Sequence, residues 1–283
     1  MASGIAGLVI VAVVVALVIV KVTGGSSPGS AKPGGQPNAG VVEAATSVPQ
    51  SVLNKVGVGG SQASTISPPM KIKPGAPALT AGGKPLIVYE GAEYCPYCAT
   101  ERWGMVVALS KLGTFSHLQT TKSSSTDVFP DTPTFTFYKA QYSSPYVTFQ
   151  ADEQQTRTGA VLQAPTAQQT LLYNTYEVQP YLAKGEQPGI PFVDIGNRYL
   201  VIGPSYPPYL LHTSTSQQAP PLPIGTVAGS LSLPTTPIAQ GVDATANYFL
   251  AAMCSLMQGK TPAVCNASGT QRAAAVLQAE KAP

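Results

Sequence analysis

Residues 84–113 read KPLIVYEGAEYCPYCATERWGMVVALSKLG. The first eight, Lys84 to Gly91, are apolar and β-branched and close on glycine, the pattern of a strand buried on both faces. A helix is predicted from about Cys95 to Gly113. Pro96 stands in its first turn, where a missing N–H is harmless, and Gly113 terminates it. A buried strand that runs into a helix places the chain in the α/β class.

Downstream, FSHLQTT (115–121), TPTFTFYKA (132–140) and YVTFQADE (146–153) are β-rich pieces, with the turn-formers SSP between the last two. A polar, helix-compatible stretch covers about Ala167 to Leu182. GIPFVDIGNRYLVIG (189–203) is the clearest hairpin, two alternating runs joined at Gly196-Asn197. Residues 213–240 are rich in Pro, Ser and Thr, and a last amphipathic helix is expected over about Val242 to Met257.

Upstream, Tyr89 is the first aromatic residue of the chain. Residues 23–83 are dominated by Gly, Pro and Ser at their start and carry no aromatic, so they are expected to be a flexible stalk that cannot bury enough area to offset its ordering entropy. Residues 1–22 are expected to anchor the chain in a membrane. Ile5 to Val20 contains only Ala, Gly, Val, Leu and Ile, about 20 residues with its flanks, or roughly 30 Å as a helix. A cleaved signal peptide would show a basic start and an A-x-A-like site, and neither is there. The expected folded domain is therefore 84–283, with an insertion at about 115–185.

Charge is sparse: 16 Lys or Arg and 13 Asp or Glu make the chain 10% charged, against a usual figure of about 25%. A net charge of +3 with no basic cluster excludes a nucleic-acid footprint. A surface of Ser, Thr, Gln, Asn and Tyr keeps its hydrogen bonding at any pH and would suit an acidic exterior. Lys21 flanks the anchor on its C-terminal side, which argues for a cytoplasmic domain. The even cysteine count and sparse charge argue for the exterior, and the extracytoplasmic side is the expectation.

The chemistry concentrates at Cys95-Pro96-Tyr97-Cys98. Two cysteines two residues apart at a helix start lie on one turn, so a disulfide between them opens and closes with little backbone movement. The orphan N–H groups of the helix start favour a thiolate on the first, lowering its pKa to about 3.5–7.5 in such motifs. Cys95 is read as the nucleophile and Cys98 as the resolving thiol. Cys254 and Cys265 bracket a segment containing Gly259 and Pro262 that turns back on itself. A structural disulfide is expected there, with a second redox pair or two free thiols as alternatives. Zinc is not expected, because the late pair lacks the short spacing of structural zinc sites. His117 and His212 are read as surface or satisfied core histidines, Trp103 as a core anchor, and Glu90 and Glu93 as solvated loop carboxylates, with a proton acceptor for the resolving thiol as the alternative.

GAEYCPYC after a hydrophobic strand and before a helix resembles the active-site segment of the thioredoxin superfamily, with the Pro-Tyr dipeptide typical of glutaredoxins. Gly189-Ile190-Pro191-Phe192 resembles the superfamily's cis-proline landmark, which leads into a β-hairpin. The whole layout is similar to the proteins grouped as domain of unknown function 929. The resemblance implies an α/β, thioredoxin-like fold with inserted strands, the long stretch between Cys98 and Pro191 holding the insertion. It implies catalytic roles for Cys95, Cys98 and Pro191 and substrate contacts at Tyr94, Pro96, Tyr97 and Ile190. One departure is Tyr89, which stands six positions before Cys95 where thioredoxins carry a buried acid. The expected function is membrane-anchored thiol–disulfide exchange on extracytoplasmic protein thiols or disulfides, without a cofactor or metal. Two alternatives are a non-catalytic binding module of the same fold and a CxxC protein for soft metals such as Cu(I).

Overall fold

Asn38 starts the first helix by accepting the Val41 N–H on its side chain at 3.3 Å, which satisfies one of the donors a helix start leaves open. Helix α1 (Ala39–Thr46) is followed after Pro49 by α2 (Gln50–Val56), a 3₁₀ turn (Gly60–Thr65) and two short strands, β1 (Met70–Lys71) and β2 (Thr80–Ala81). Strand β3 (Lys84–Gly91) runs into α3 (Pro96–Ser110). Then come β4 (Thr114–Ser116), β5 (Gln119–Lys122), β6 (Pro133–Thr136), β7 (Gln141–Ser143) and β8 (Thr148–Glu153). The chain continues through α4 (Ala167–Tyr176), β9 (Phe192–Ile195), β10 (Tyr199–Ile202), α5 (Ile224–Ser230), α6 (Pro237–Leu256) and α7 (Ser268–Ala279). This computed structural model describes residues 35–259 and 261–283, all within one compact unit.

The architecture is mixed α/β. In the main sheet β3 pairs in parallel with β8 and antiparallel with β9; β10 and β1 extend the β9 side, and β2 folds back on the start of β3. Two small ribbons, β4 with β7 and β5 with β6, account for the rest of the β-rich middle. Of the pieces expected as inserted strands, YVTFQADE alone supplies a strand of the main sheet, β8. FSHLQTT is divided between β4 and β5, with His117 at φ 58° between them. The β9–β10 turn falls at Gly196-Asn197, with φ of 64° and 57°, the left-handed values that a two-residue turn requires.

Because side chains alternate across a strand, β3 serves two cores. Ile87 and Tyr89 face a large core with α3, α6 and the N-terminal helices, whereas Leu86 and Val88 face a smaller one with Leu172 and Tyr176 of α4 and Phe192. Helix α3 is buried nearly all round, packed against α6, β6 and α1. At its closest approach to α6, a Cβ on Gly104 would come within 2.5 Å of Thr245 Cγ2, so only glycine fits. Trp103 is a core anchor: its Nε1 donates to the Pro133 carbonyl at 2.8 Å and its ring meets Phe135 edge-on.

Two expectations need correction. Residues 35–83 are not a loose stalk, and the folded unit does not begin at 84. Val41 and Ala45 of α1 and Val52, Leu53 and Val56 of α2 are buried in the large core. Asn247 of α6 donates to the carbonyls of Leu53 and Gly57 at 2.9 and 2.8 Å, closing the C-terminal turn of α2. Small aliphatic residues suffice here because the large surfaces they pack against come from α3, α6 and α7. Helix α7, at the C-terminal end, was also not foreseen; Ala273 and Leu277 face the same core. Leu53→Ala is expected to destabilise the protein by about 2–5 kcal/mol, as a core truncation does and a stalk substitution does not, measured as the shift in urea midpoint.

Among the described residues no helix is long and apolar enough to cross a membrane. The expected anchor, residues 1–22, lies outside the described residues, as does the first part of the expected stalk.

Candidate functional site

Strand β3 ends at Gly91 and delivers Ala92, Glu93 and Tyr94 to the start of α3, where Cys95 is the N-cap. Its extended backbone (φ −74°, ψ 121°) leaves the sulfur to take the role usually held by a Ser or Asp oxygen, and it accepts the Cys98 N–H at 3.2 Å. Pro96 occupies the first helical position, as its fixed φ favours. Both thiols are free; Cys98 is fully buried and Cys95 is 4% exposed.

The segment before β9 closes over the sulfurs. The Cys95 thiol donates to the Ile190 carbonyl at 3.6 Å, and the Ile190–Pro191 peptide bond is cis. Pro191 is buried, while Ile190, Tyr94 and Tyr97 are half-buried around the same turn. Two elements far apart in sequence thus meet at Cys95. On the other side, Ser124 of the β5–β6 loop donates its N–H to the Tyr94 carbonyl at 2.8 Å.

The two sulfurs are electrostatically unequal. Burial pushes the Cys95 thiol up, but hydrogen bonds from the Cys98 thiol and N–H, the Arg102 charge and the Tyr97 N–H outweigh it and hold Cys95 below the ordinary thiol value. Burial pushes Cys98 well up, as do its hydrogen bond to Cys95 and the charge Cys95 carries. The neighbouring Tyr94 is pushed up to about 12, by burial first and then by the two cysteines and Asp127.

Glu90 and Glu93 are not solvated loop carboxylates. Glu90 is 2% and Glu93 1% exposed, because Glu90 is still on β3, beside Asp152 of β8, and Glu93 sits on the loop that Arg102 and Glu153 underlie. Burial, then Asp152, then Glu177 push Glu90 up to about 7. Glu177, the C-cap of α4, accepts the Gly189 N–H at 3.1 Å and so ties that helix to the segment ahead of Ile190. Arg102 was missed altogether. It is buried and paired with Glu153, and its signal was the adjacent charges Glu101 and Arg102 in a helix whose other residues are uncharged.

The remaining candidates lie elsewhere. A disulfide joins Cys254, near the end of α6, to Cys265 in a 3₁₀ turn, so the segment between them does fold back. Leu256 beside it packs on Gly196, at the end of β9 remote from Ile190. His212 is a satisfied core histidine, with Thr132 Oγ1 and the Ala219 carbonyl each 2.8 Å from its ring nitrogens, and His117 is exposed. A cavity of about 580 Å³ lined by Leu79, Lys84, Tyr146 and Arg198 opens at the opposite end of β3 from the cysteines. Among the described residues, no group of three or more His, Cys, Asp or Glu side chains is arranged to hold a metal ion.

No curated protein and no solved structure matches the chain. Residues 70–255, a span that holds the main sheet, the Cys95–Cys98 turn and the Pro191 segment and makes up more than half of the sequence, match the family model described as Domain of unknown function (DUF929), and the chain belongs to that family.

Proposed function

We propose that this protein performs thiol–disulfide exchange through Cys95 and Cys98 on a thioredoxin-like framework. The observation that carries the reading is the position of Cys95: an N-cap sulfur that receives the Cys98 N–H at 3.2 Å and lies 3.6 Å from the Ile190 carbonyl. The strand, CPYC turn and helix, followed by a proline-led hairpin beside the same strand, support the framework.

In the reducing direction the Cys95 thiolate attacks one sulfur of a substrate disulfide. A Cys95–substrate bond forms and the other substrate sulfur leaves as a thiolate, which takes a proton from water. Cys98 then loses its proton to water and its sulfur displaces the substrate from Cys95. The second substrate thiolate leaves and is protonated in turn. Two electrons pass from the cysteine pair to the substrate, and the reverse sequence oxidises a substrate dithiol. Half-buried Tyr94, Tyr97 and Ile190 would frame an extended protein segment, with buried Pro96 and Pro191 fixing the turn and the strand start behind them. The reading includes an extracytoplasmic domain tethered through residues 1–22. The apolar run Ile5 to Val20 and the Cys254–Cys265 disulfide, of a kind that persists in oxidising compartments, support it.

The shallow exposure of Cys95, 4%, favours a second reading, in which the pair is a permanent bridge in a binding module. Brief alkylation of the reduced full-length chain at mildly acidic pH separates the two. Exchange requires that Cys95 be labelled before Cys98. Labelling of Cys98 first defeats the assigned roles, and a folded chain whose Cys95–Cys98 pair resists the reductant, leaving neither thiol to label, supports the bridge.

A further inference from the structure

Arg102 stands four residues after Cys98 on α3, one helical turn on and on the same face. Its side chain is fully buried, a position a cation holds only when paired. Glu153, at the end of β8, pairs it in a fork: Arg102 Nε and Nη2 donate to the two carboxylate oxygens at 2.8 and 2.5 Å. Nη2 also donates to the Ala92 carbonyl at 2.7 Å, and that same carbonyl accepts the Cys95 N–H at 3.2 Å. The guanidinium is therefore one shared acceptor away from the turn that carries Cys95. Its third nitrogen, Nη1, is buried with no hydrogen-bond partner. A strut that only held α3 to β8 would have no use for that open donor.

We propose that Arg102, oriented by Glu153, is a positioning residue for the cysteine pair: its charge stabilises the thiolates of Cys95 and Cys98 as each forms. The proposal rests on the exchange reading above and deepens it. Where thioredoxins carry a buried acid six positions before the first cysteine, this chain has Tyr89, whose Oη is buried and unpartnered. A guanidinium works by the opposite route. It takes no proton from Cys98, but it lowers the energy of the anion left when the proton goes to water.

The titratable groups that act on the sulfurs from the surrounding elements are Tyr89 on β3, Tyr94 on the loop, Tyr97 on α3 and Tyr173 on α4, whose anions would all oppose a thiolate. Asp127, on the β5–β6 loop, acts on Tyr94 and Tyr97 with the same sign. Glu93 and Glu153 face Arg102. Arg102 is the cation that favours the charged form of both cysteines.

The test is the pH profile of Cys95 alkylation in the reduced full-length protein. The double variant R102M/E153Q removes both charges while Gln keeps an acceptor for the Phe137 N–H, which Glu153 receives at 3.1 Å. Its alkylation rate at a pH below the Cys95 midpoint is expected to fall about tenfold, the effect of raising the thiol pKa by one. R102K restores most of the rate, and E153Q alone, which leaves the cation unneutralised, speeds the reaction. A folded double variant with the wild-type profile overturns the proposal. Should that variant fail to fold, an E153Q protein that reacts no faster than wild type overturns it as well. These results are independent of exchange itself. A wild type that reduces no protein disulfide, yet shows the shift, ends the exchange reading and leaves the electrostatic role of Arg102 standing.

Discussion

Thermal unfolding is expected at a temperature higher by at least about 10 °C at pH 4 than at pH 8, the reverse of what a protein held by ionised carboxylates shows. Glu90, Glu101, Glu177 and Asp194 are each pushed up to about 7, and Asp152 to about 6, with burial the first cause for all five. Among the described residues no basic side chain forms an ion pair with any of them, although the Arg198 charge offsets part of the burial at Asp194. Glu90 and Asp152 face each other across paired strands, so ionising one raises the cost of ionising the other. Between the ordinary carboxylate range and pH 7 the folded chain keeps these protons and the unfolded chain releases them, so stability is full in acid and declines as pH rises. His212, held low by burial, works in the other direction, but it is one group against five. A single acid moved from 4.5 to about 7, as Glu101 is, removes roughly 3 kcal/mol across that range. Glu101→Gln isolates one share. Glutamine can still accept the Ser205 N–H and engage the Ser205 hydroxyl, both bonded to Glu101 now, but it does not titrate. The slope of stability against pH should flatten by about 1.4 kcal/mol per pH unit between pH 5 and 7. A melting temperature that is flat or rises towards pH 8 would show that these acids ionise freely in the folded state.

The two cysteines should fail in different ways. Cys95→Ser is expected to reduce exchange with a protein disulfide by about a thousandfold or more, since a serine hydroxyl does not ionise at any relevant pH and the other thiol of the turn, Cys98, is fully buried and held well above the ordinary thiol value. Cys98→Ser should leave the first half of the reaction intact. The N–H that Cys95 accepts belongs to the backbone of residue 98 and survives the substitution. Without a resolving thiol, the mixed disulfide through Cys95 then accumulates and can be identified by mass. A hydroxyl at a site with no exposure also costs about 1–3 kcal/mol unless it finds a partner, so the C98S protein should melt earlier as well. Exchange that persists in C95S, or adducts that form through residue 98 in preference to residue 95, would reassign the nucleophile.

How much of the site could be read in advance follows from the range of the interactions involved. The CPYC turn was legible because its parts are adjacent: a strand, a capping cysteine and a proline at the first helical position; Gly113 is not the stop, since α3 ends at Ser110 with Lys111 as its C-cap. Ile190 and Pro191 were singled out through resemblance alone, and the structure brings the Ile190 carbonyl to 3.6 Å from the Cys95 sulfur. Arg102 and Glu153 were not. Their pairing needs β8 to run parallel to β3, and nothing near TERWG or FQADE states that partner. Glu90 was misread for the same reason, since a glutamate one residue from a strand end is solvated or buried according to what covers the strand.

The linear chain by itself determined the elements whose signals are local: the apolar run of β3, the N-cap of α3, the Gly196-Asn197 turn, the cysteine spacing and the lack of a Lys/Arg cluster in the sequence. Tertiary structure alone decided which weakly patterned segments would be buried. Val41, Val52 and Leu53 lie in a stretch without one aromatic residue, yet they belong to the large core because α3 and α5 pack on α1 while α6 and α7 pack on α2. It also decided which carboxyls keep their protons, because a titration depends on the dielectric and charges that surround a group. Those surroundings are assembled here from β3, β8, α4 and the segment before β9, far apart in sequence and joined only when the sheet forms.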